Sequence, residues 1–233
     1  RRRVSPTFLG HGVSLGLDFR GADSKRLKQL GLPLLESFLD VANALEIPPE
    51  TLQWLTYHRE SSASDHYSRF EIPKRSGGKR LISSPKPALR KAQSWVNDNV
   101  LSVLTPSPAA MAFRPGLSIV DNARRHLGSA VVVKLDLKDF FPSITFPRVR
   151  NYFQRLGYNS GVASVLALLT TDAPRVKMTV GDMVKFVAVG ERSLPQGAVS
   201  SPALANLIAT GLDIRCSALA EKANWTYSRY ADD

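Results

Sequence analysis

The run Ala130-Val131-Val132-Val133-Lys134-Leu135-Asp136-Leu137 is rich in β-branched apolar residues and carries one aspartate near its end. Such a run predicts a buried strand. A second strand-like run, from Trp225 to Tyr230, leads directly into Ala231-Asp232-Asp233. If the two strands lie side by side, the three carboxylates meet at one place. Carboxylates are preferred ligands of Mg²⁺, and a pair of such ions is one arrangement that assists phosphoryl transfer.

Each acidic position has an ordinary explanation when it is taken alone. An aspartate at the end of a strand is most often a cap or turn residue, and an Asp-Asp pair often arises by chance. Two adjacent like charges repel each other, however, and they persist most readily where a cation neutralises them. The combination therefore predicts that Asp136 and Asp232 bridge two metal ions, with Asp233 as a weaker or structural ligand.

The chain is strongly basic, with 31 Lys and Arg against 20 Asp and Glu and a formal net charge of +11. This excess favours a polyanionic partner, most often nucleic acid, and a merely basic soluble protein is the alternative. The single cysteine, Cys216, excludes a disulfide or a cysteine-based zinc site within the chain and fits a cytoplasmic location. The four histidines lack metal-site spacing, and no apolar run reaches about 18 residues, so we expect no membrane-spanning helix.

The remaining patterns divide the chain into three regions. Residues 1–57 form an N-terminal arm and short helices, residues 58–129 contain a basic hairpin, and residues 130–233 hold both acidic runs, with an insertion at about 146–195. Apolar residues at helical spacing predict helices, and strand-like runs around Gly-Gly and Gly-Asp predict two hairpins. The predicted helices lie within 24–57, 87–104, 118–128, 147–156, 161–170 and 201–222, and the hairpins span 70–82 and 176–189.

A basic surface is predicted on the first hairpin and the helix after it, where seven Lys and Arg residues lie close together in sequence. They would contact phosphates, whereas a solvated basic face is the alternative. Among them, Lys79 and Arg80 are the best placed for a triphosphate. No Gly-x-x-x-x-Gly-Lys-Ser/Thr motif is present, which argues against a P-loop ATPase. The seven residues are Lys74, Arg75, Lys79, Arg80, Lys86, Arg90 and Lys91.

Three motifs occur in the order found in reverse transcriptases. They are Asp136-Leu137-Lys138-Asp139-Phe140-Phe141, then Leu194-Pro195-Gln196-Gly197 with Ser201-Pro202, and finally Tyr230-Ala231-Asp232-Asp233. From about residue 55 to its end, the chain resembles the fingers and palm of that family. Within the family it is similar to the bacterial retron type, through Asn122-Ala123-Arg124-Arg125-His126 and through the stretch from Lys79 to Gln93.

The resemblance implies a fold, an activity and a set of partners. The fold would be α+β, a right-hand polymerase with fingers at 58–129 and a palm at 130–233 whose antiparallel sheet is backed by helices. The activity would be RNA-directed DNA polymerisation with two Mg²⁺ ions and deoxynucleoside triphosphates. A structured non-coding RNA would serve as template and primer source for nascent retron DNA (msDNA). An effector protein in phage defence would often accompany it, and no membrane partner is implied.

The resemblance also assigns residue roles. Phe141 would be the aromatic gate that clashes with a ribose 2′-hydroxyl, with a plain core residue as the alternative. Gln196 and Gly197 would contact the incoming nucleotide and the template base. Asn122 and His126 would contact RNA, or would only cap a loop. The remaining candidates are Lys79 and Arg80 for the nucleotide, and Lys74, Arg75, Lys86, Arg90 and Lys91 for RNA.

Several alternatives stay open. Other bacterial reverse transcriptases, of the intron-encoded, abortive-infection or CRISPR-linked types, are the nearest. A catalytically silent RNA-binding scaffold of the same fold is a rival from another class, and a two-metal nuclease would need a Glu- or His-containing cluster that the sequence lacks. The family's thumb would lie beyond Asp233, so we expect this chain alone to synthesise little DNA. We expect Asp139, Asp172 and Asp182 to face solvent.

Overall fold

The computed structural model describes Leu9 and residues 17–57, 59–73 and 77–233. The described chain mixes helices with antiparallel β-structure, so its class is α+β. Most of the predicted N-terminal arm, and the hairpin residues Lys74 and Arg75, lie outside the described residues. The α-helices are α1 (Ser24–Gln29), α2 (Phe38–Ala44), α3 (Pro49–Thr56), α4 (Pro87–Val96), α5 (Ile119–Arg124), α6 (Phe140–Ser143), α7 (Phe146–Leu156), α8 (Ser160–Thr170) and α9 (Ser201–Lys222), and a π-helical stretch, Asn97–Leu101, continues α4. The strands are β1 (Ser61–Ser62), β2 (Tyr67–Pro73), β3 (Lys79–Pro85), β4 (Arg175–Val180) and β5 (Met183–Ala188).

The helical regions agree with the periodicity of the sequence. Helix α2 begins with a capping box, in which Ser37 and Asp40 satisfy each other's backbone N–H groups. Helix α5 begins in the same way at Ser118 and Asp121. Helix α8 is the centre of the core, because each of its 11 residues except the first is buried. It packs against α2, α3, α4 and α7, and so ties the N-terminal helices to the rest of the chain.

Both predicted hairpins are present. Strands β2 and β3 pair antiparallel from Tyr67 opposite Pro85 to Pro73 opposite Lys79, and Gly77 and Gly78 have positive φ in the connection. Strands β4 and β5 form the second hairpin, and the short β1 adds to β5 to make a three-stranded antiparallel sheet. The hairpins form because residues close in sequence supply both partners of each ladder.

The prediction of a buried strand at Ala130–Leu137 is wrong for this structure. The segment is irregular, and the Val131 and Leu135 side chains are 77% and 75% exposed. The run from Trp225 to Tyr230 is not a strand either, apart from a single bridge between Arg229 and Ala110. The predicted antiparallel palm sheet therefore does not form among the described residues. A strand needs a neighbour that satisfies its backbone groups along its whole length. Among the described residues, the one backbone bond that links these parts of the chain runs from the Leu137 N–H to the Asp232 carbonyl oxygen, two residues beyond the second run.

Helix α9 is long and apolar enough to cross a bilayer by length and composition alone, contrary to the expectation from the sequence. One such helix is weak evidence of a membrane span, because the core helix of a globular protein passes the same test. In this chain α9 supplies buried side chains to the core, among them Leu204 and Leu207. It also carries the buried carboxylate of Asp213, which is paired with an arginine. These contacts are those of a core helix.

Candidate nucleotide and metal site

The two acidic runs meet through their main chains. The Leu137 N–H donates to the Asp232 carbonyl oxygen over 2.7 Å, which places Asp136 beside the C-terminal acidic pair. The ammonium of Lys134 lies 3.0 Å from Asp233 Oδ2. The hydrogen bond with Asp233 raises the pKa of Lys134, and the charges of Asp136 and Asp232 add to this rise. Asp136, Asp232 and Asp233 therefore all interact electrostatically with the ammonium of Lys134.

The donor chemistry of this group suits a divalent metal ion, because carboxylate oxygens are hard ligands. Among the described residues, however, no three His, Cys, Asp or Glu side chains are grouped closely enough to hold an ion. Instead, the ammonium of Lys134 is the counter-ion of Asp233. Asp136, Asp232 and Asp233 are therefore neighbours of suitable chemistry whose oxygens do not form a coordination set in this arrangement.

A buried arginine fixes the chain just before the acidic pair. Arg229 is 2% exposed, and its Nε and Nη2 donate to the two carboxylate oxygens of Asp213 over 2.8 and 2.9 Å. Its Nη1 donates to Asn206 Oδ1 over 3.2 Å and to the Ala231 carbonyl oxygen over 2.8 Å. Asp213 and Asn206 both lie on α9. We call Arg229, Asp213 and Asn206 the buried clamp, and it holds the acidic turn against the long helix.

The turn that carries the acidic pair is tight. The Tyr230 N–H donates to the Asp233 carbonyl oxygen over 2.8 Å, and the Asp233 N–H donates back to Tyr230 over 3.2 Å. Ala231 has a φ of 63°, a left-handed conformation that an alanine adopts only at a cost. Because the carbonyl of Ala231 accepts from Arg229, the buried clamp contacts the strained residue itself.

Sequence reasoning did not single out Arg229 or Asp213 as functional residues. The structure places Asn206 in the clamp, where it is buried and also donates to the Ala112 carbonyl over 2.8 Å. A signal was present in the sequence. Arg229 and Asp213 are charged residues inside otherwise core-like segments, and buried charges are found almost only in pairs.

A cavity of about 220 Å³ brings together three of the predicted nucleotide contacts, Lys79, Arg80 and Gln196. Lys79 and Arg80 come from strand β3, and Gln196 comes from the loop before α9. The Lys79 ammonium lies 2.7 Å from Glu71 Oε2 on the neighbouring strand, and this contact raises the pKa of Lys79. Both side chains are exposed, so this ion pair contributes little to stability.

Gly197 explains how the hairpin is fitted to this loop. The Ser83 N–H of β3 donates to the Gln196 carbonyl oxygen over 2.7 Å. A Cβ atom at Gly197 would lie 2.8 Å from Ile82 Cγ2 and 3.2 Å from the Ser83 carbonyl oxygen, and the φ of Gly197 is 103°. Only glycine permits both the conformation and the close approach. The loop with Gln196 and the hairpin with Lys79 therefore meet as closely fitted surfaces.

Phe141 lies beside this cavity and is not among the residues that line it, whereas Asp139 and Pro142 are. Its ring makes edge contacts with Phe140 and Phe113 at centroid distances of 5.7 and 6.3 Å. The half-buried position of Phe141 is compatible with either predicted role, a gate under the sugar or part of the core.

A second buried ion group joins the hairpin to the residues before β4, and two of its members, Ser83 and Asp172, line the same cavity. Arg69 on β2 donates to Asp65 over 3.0 Å, to Asp172 over 2.6 Å and to Ser83 Oγ over 2.8 Å. The expectation that Asp172 faces solvent is wrong, because its side chain is buried against Arg69. Burial raises the pKa of Asp172, and the contact with Arg69 opposes that rise. Sequence reasoning missed this ion group because Arg69 and Asp172 lie 103 positions apart.

The predicted RNA contacts fall on two surfaces. Lys86, Arg90 and Lys91 lie at the start of α4, and Arg90 donates to Ser84 Oγ over 2.9 Å. His126 lies past α5, where its Nε2 is 2.7 Å from Ser228 Oγ, just upstream of the acidic turn. The Oδ1 atom of Asn122 is buried with no hydrogen-bond partner in the described structure. Lys74 and Arg75 lie outside the described residues.

Comparison with known families identifies relatives of this chain. Residues 72–233 match the family model described as reverse transcriptase (RNA-dependent DNA polymerase). The chain is 46% identical over 232 residues to the retron Mx162 reverse transcriptase of Myxococcus xanthus, covering 97% of this chain and 48% of that protein. It is 44% identical over 211 residues to the retron Mx65 reverse transcriptase of the same organism, covering 91% of this chain and 49% of that protein.

A relative from another organism shows the same relation. The retron Ec86 reverse transcriptase of Escherichia coli is 37% identical over 210 residues, which are 89% of this chain and 59% of that protein. The resemblance to retron enzymes inferred from the motifs is thus confirmed by similarity along most of the chain. The chain spans about half the length of the two Myxococcus relatives.

Proposed function

Because the chain belongs to the reverse transcriptase family, we propose that it is the fingers-and-palm part of a retron-type RNA-directed DNA polymerase. The observation that carries this proposal is the meeting of the acidic runs, through the bond from Leu137 N–H to the Asp232 carbonyl. That bond brings residues almost a hundred positions apart in sequence to one place. The proposed division is an N-terminal arm with helices at 1–57, fingers at 58–129 and a palm at 130–233 with a fingers insertion at about 146–195.

Reverse transcriptases use divalent metal ions, and the proposed ions here are two Mg²⁺. Asp136 and Asp232 would hold both, and Asp233 would be a third, weaker ligand. When bound, such ions neutralise phosphate charge and favour attack by a 3′-hydroxyl. Asp233 could coordinate a metal ion only after its ion pair with Lys134 is broken. The buried clamp would keep the acidic turn in place during this exchange, because Arg229 bonds to Ala231 and not to either carboxylate.

The nucleotide would lie in the cavity between the hairpin and the loop before α9. Lys79 and Arg80 would bind phosphate oxygens there, since both line the cavity with Gln196. Gly197 would let the backbone approach the incoming nucleotide. Phe141, beside the cavity, would select deoxynucleotides by excluding a 2′-hydroxyl.

The proposed partners are a structured non-coding RNA as template and primer source, the nascent DNA, deoxynucleoside triphosphates and an effector protein. Lys86, Arg90, Lys91, Asn122 and His126 would contact RNA, together with Lys74 and Arg75 of the hairpin. The net charge of +11 supports a nucleic-acid partner. The proposed location is the cytoplasm, with no membrane partner.

The test is the substitution Asp136→Ala in the protein that contains this chain. We expect primer extension on an RNA template to fall by several orders of magnitude while equilibrium RNA binding stays within about twofold, since one metal ligand is lost and no RNA contact is. Asp182→Ala, in the exposed turn between β4 and β5, is the matched control and should extend normally. Full extension by the Asp136→Ala variant would refute the assignment.

The silent RNA-binding scaffold is a second candidate, and one observation favours it. Lys134 pairs with Asp233, and the described carboxylates are not grouped as a metal site. If the chain were such a scaffold, the unmodified protein would bind RNA and show no Mg²⁺-dependent primer extension. Asp136→Ala would then change neither property. Mg²⁺ titration of extension by the unmodified protein separates the two functions.

A further inference from the structure

A cavity of about 470 Å³ lies between α7, α9 and the segment that follows Asp136. It shares no lining residue with the cavity that holds Lys79, Arg80 and Gln196. Its inner wall is apolar, with buried Phe140, Ile144 and Ala209. We call this cavity the α7–α9 cleft.

The rim of the α7–α9 cleft is cationic. Lys138, Arg148, Arg155 and Arg215 line it, and no Asp or Glu does. Arg148 and Arg155 are seven residues apart on α7, two turns of one helical face, and Arg215 faces them from α9. Four like charges around one space repel each other, so the arrangement favours an anionic ligand.

None of these four cations is used in an ion pair within the described part of the chain. Arg148 Nη1 donates to the Ser143 carbonyl over 3.1 Å, and Arg215 Nε donates to the Gly211 carbonyl over 3.1 Å. Each bond orients a guanidinium group and leaves its other N–H groups available. Oriented guanidinium groups match the geometry of phosphate oxygens.

Gly211, on α9, independently indicates that a ligand approaches this cleft. It lies inside the 22-residue helix α9 and lines the cleft. Glycine destabilises the interior of a helix relative to alanine. A Cβ atom at Gly211 would meet nothing within 4 Å, so packing inside the protein does not require glycine there. A ligand that approaches the backbone of α9 closely would account for it.

We propose that the α7–α9 cleft binds the phosphodiester backbone of an RNA strand, at a surface separate from the nucleotide cavity. The proposal rests on the proposed function, which makes RNA the polyanion that this protein handles. An RNA strand fits better than an acidic peptide, since the half-buried ring of Tyr152 and the amide of Asn151 lie among the cations. A ring beside phosphate contacts is the usual arrangement for single-stranded RNA.

The consequence for DNA synthesis is retention of the template. Lys138 is two positions beyond Asp136, so RNA held in the cleft would be anchored close to the acidic site without occupying it. The part of the RNA at the nucleotide cavity would then change as synthesis proceeds, while the rest of the RNA stays bound in the cleft.

The first test neutralises the rim with the triple substitution Arg148→Gln, Arg155→Gln and Arg215→Gln. The probe is a labelled hairpin RNA with single-stranded flanks, measured at equilibrium without nucleotides at several salt concentrations. We expect roughly tenfold or greater loss of affinity and a salt slope smaller by about 2, because each lost single-strand phosphate contact accounts for about 0.7. The control neutralises three exposed cations elsewhere, Lys25, Lys28 and Lys177, and should change affinity by no more than about threefold.

The second test separates binding from folding. Gly211→Leu fills the cleft and leaves the charge unchanged, and it should raise the melting temperature because leucine favours a helix. We expect it to weaken RNA binding all the same, whereas Gly211→Ala should stabilise the protein and weaken binding less. Unchanged RNA affinity in both the triple variant and Gly211→Leu would overturn the proposal.

Polyglutamate of matched charge tests the acidic-peptide alternative. We expect it to compete poorly with the RNA probe for the unmodified protein, and equal competition that the triple substitution abolishes would overturn the choice of RNA. All of these measurements are made without DNA synthesis. Their outcome is therefore distinguishable from that of Asp136→Ala, which tests the proposed function by extension.

Discussion

Arg229 is the side chain on which the acidic turn depends most directly. Its guanidinium is paired with a fully buried carboxylate and also bonds the carbonyl of strained Ala231. A buried ion pair does not by itself stabilise a protein relative to apolar residues of the same size, but removing one partner leaves the other charge unpaired. Substitutions at Arg229 and Asp213 can therefore distinguish the effect of the ion pair on protein stability from its effect on the geometry of the acidic turn.

We predict that Arg229→Met destabilises the protein by about 3–5 kcal/mol, because Asp213 is then buried without its partner. The double variant Arg229→Met with Asp213→Leu should regain most of that stability in urea unfolding. It should not regain primer extension, since the bond to the Ala231 carbonyl is still missing. If the double variant extends primers as well as the unmodified protein, the clamp is only a packing device.

Gly197 gives a second prediction for a single residue. We expect Gly197→Ala to destabilise the protein by about 1–3 kcal/mol, from its positive φ and its contact with Ile82. It should also raise KM for the nucleotide, because the loop with Gln196 would move away from β3. Gly116→Ala is the matched control, as Gly116 has a positive φ and open space around it. Equal loss of stability in both variants would show that the contact with Ile82 contributes nothing.

Among the secondary-structure elements, the hairpin of β2 and β3 is fixed at its base by buried polar groups. Arg69 joins it to Asp172, and His66, next to Tyr67, lies with its Nε2 3.0 Å from the Trp54 carbonyl. Burial lowers the pKa of His66, and the nearby Arg175 and Arg192 lower it further, while the carbonyl contact and Asp65 oppose this shift. The folded hairpin therefore favours the neutral imidazole.

We predict a pH dependence of stability from His66. Because its pKa is lowered in the folded state, the unfolded chain binds the proton more readily below about pH 6.5. The contribution of neutral His66 is thus present above pH 6.5 and is lost as the pH falls toward the lowered pKa. Urea unfolding between pH 7.5 and pH 5.5 should show this fall, and His66→Gln should reduce it. A slope that is the same in both proteins would contradict the assignment.

Elements that form from neighbouring residues were the most predictable part of the fold. The capping boxes of α2 and α5 and both hairpins depend on contacts within a few positions, so periodicity and turn residues suffice to locate them. The strand prediction at Ala130–Leu137 failed because a strand is defined by its partner, which local sequence does not specify. The meeting of Asp136 with Asp232 was foreseen from motifs, whereas the clamp and the Arg69 group were not.

At the scale of the whole molecule, the protein combines a net charge of +11 with an exposed apolar segment, Val131 to Leu135, in which only Lys134 is charged. Val131, Val132, Val133 and Leu135 are each more than 60% exposed, and Trp225 lies with the first three around one cavity. Contiguous exposed apolar surface usually marks an interaction site. It also sets the behaviour of the chain in solution.

We predict that this segment makes the chain bind an apolar dye such as ANS and associate with itself at high concentration. The triple substitution Val131→Thr, Val133→Thr and Leu135→Thr should lower both by severalfold, since Thr adds a hydroxyl, with nearly the shape of Val and a smaller apolar surface than Leu. Leu34, Ile72 and Met178 are exposed apolar residues elsewhere, and their replacement by Thr is the control. Dye fluorescence and light scattering measure the effects, and an equal change in the control would contradict a dominant role of the segment.

The contact from Leu137 to Asp232 joins two main-chain groups, so it does not depend on the side chain at either position. This hydrogen bond can therefore form with any residue at position 137 that has a backbone N–H, whatever its side chain does in the core. Proline is the exception, because it has no N–H to donate. In distant homologues, position 137 is thus informative through the amino acid that it excludes, proline, and not through one that it retains.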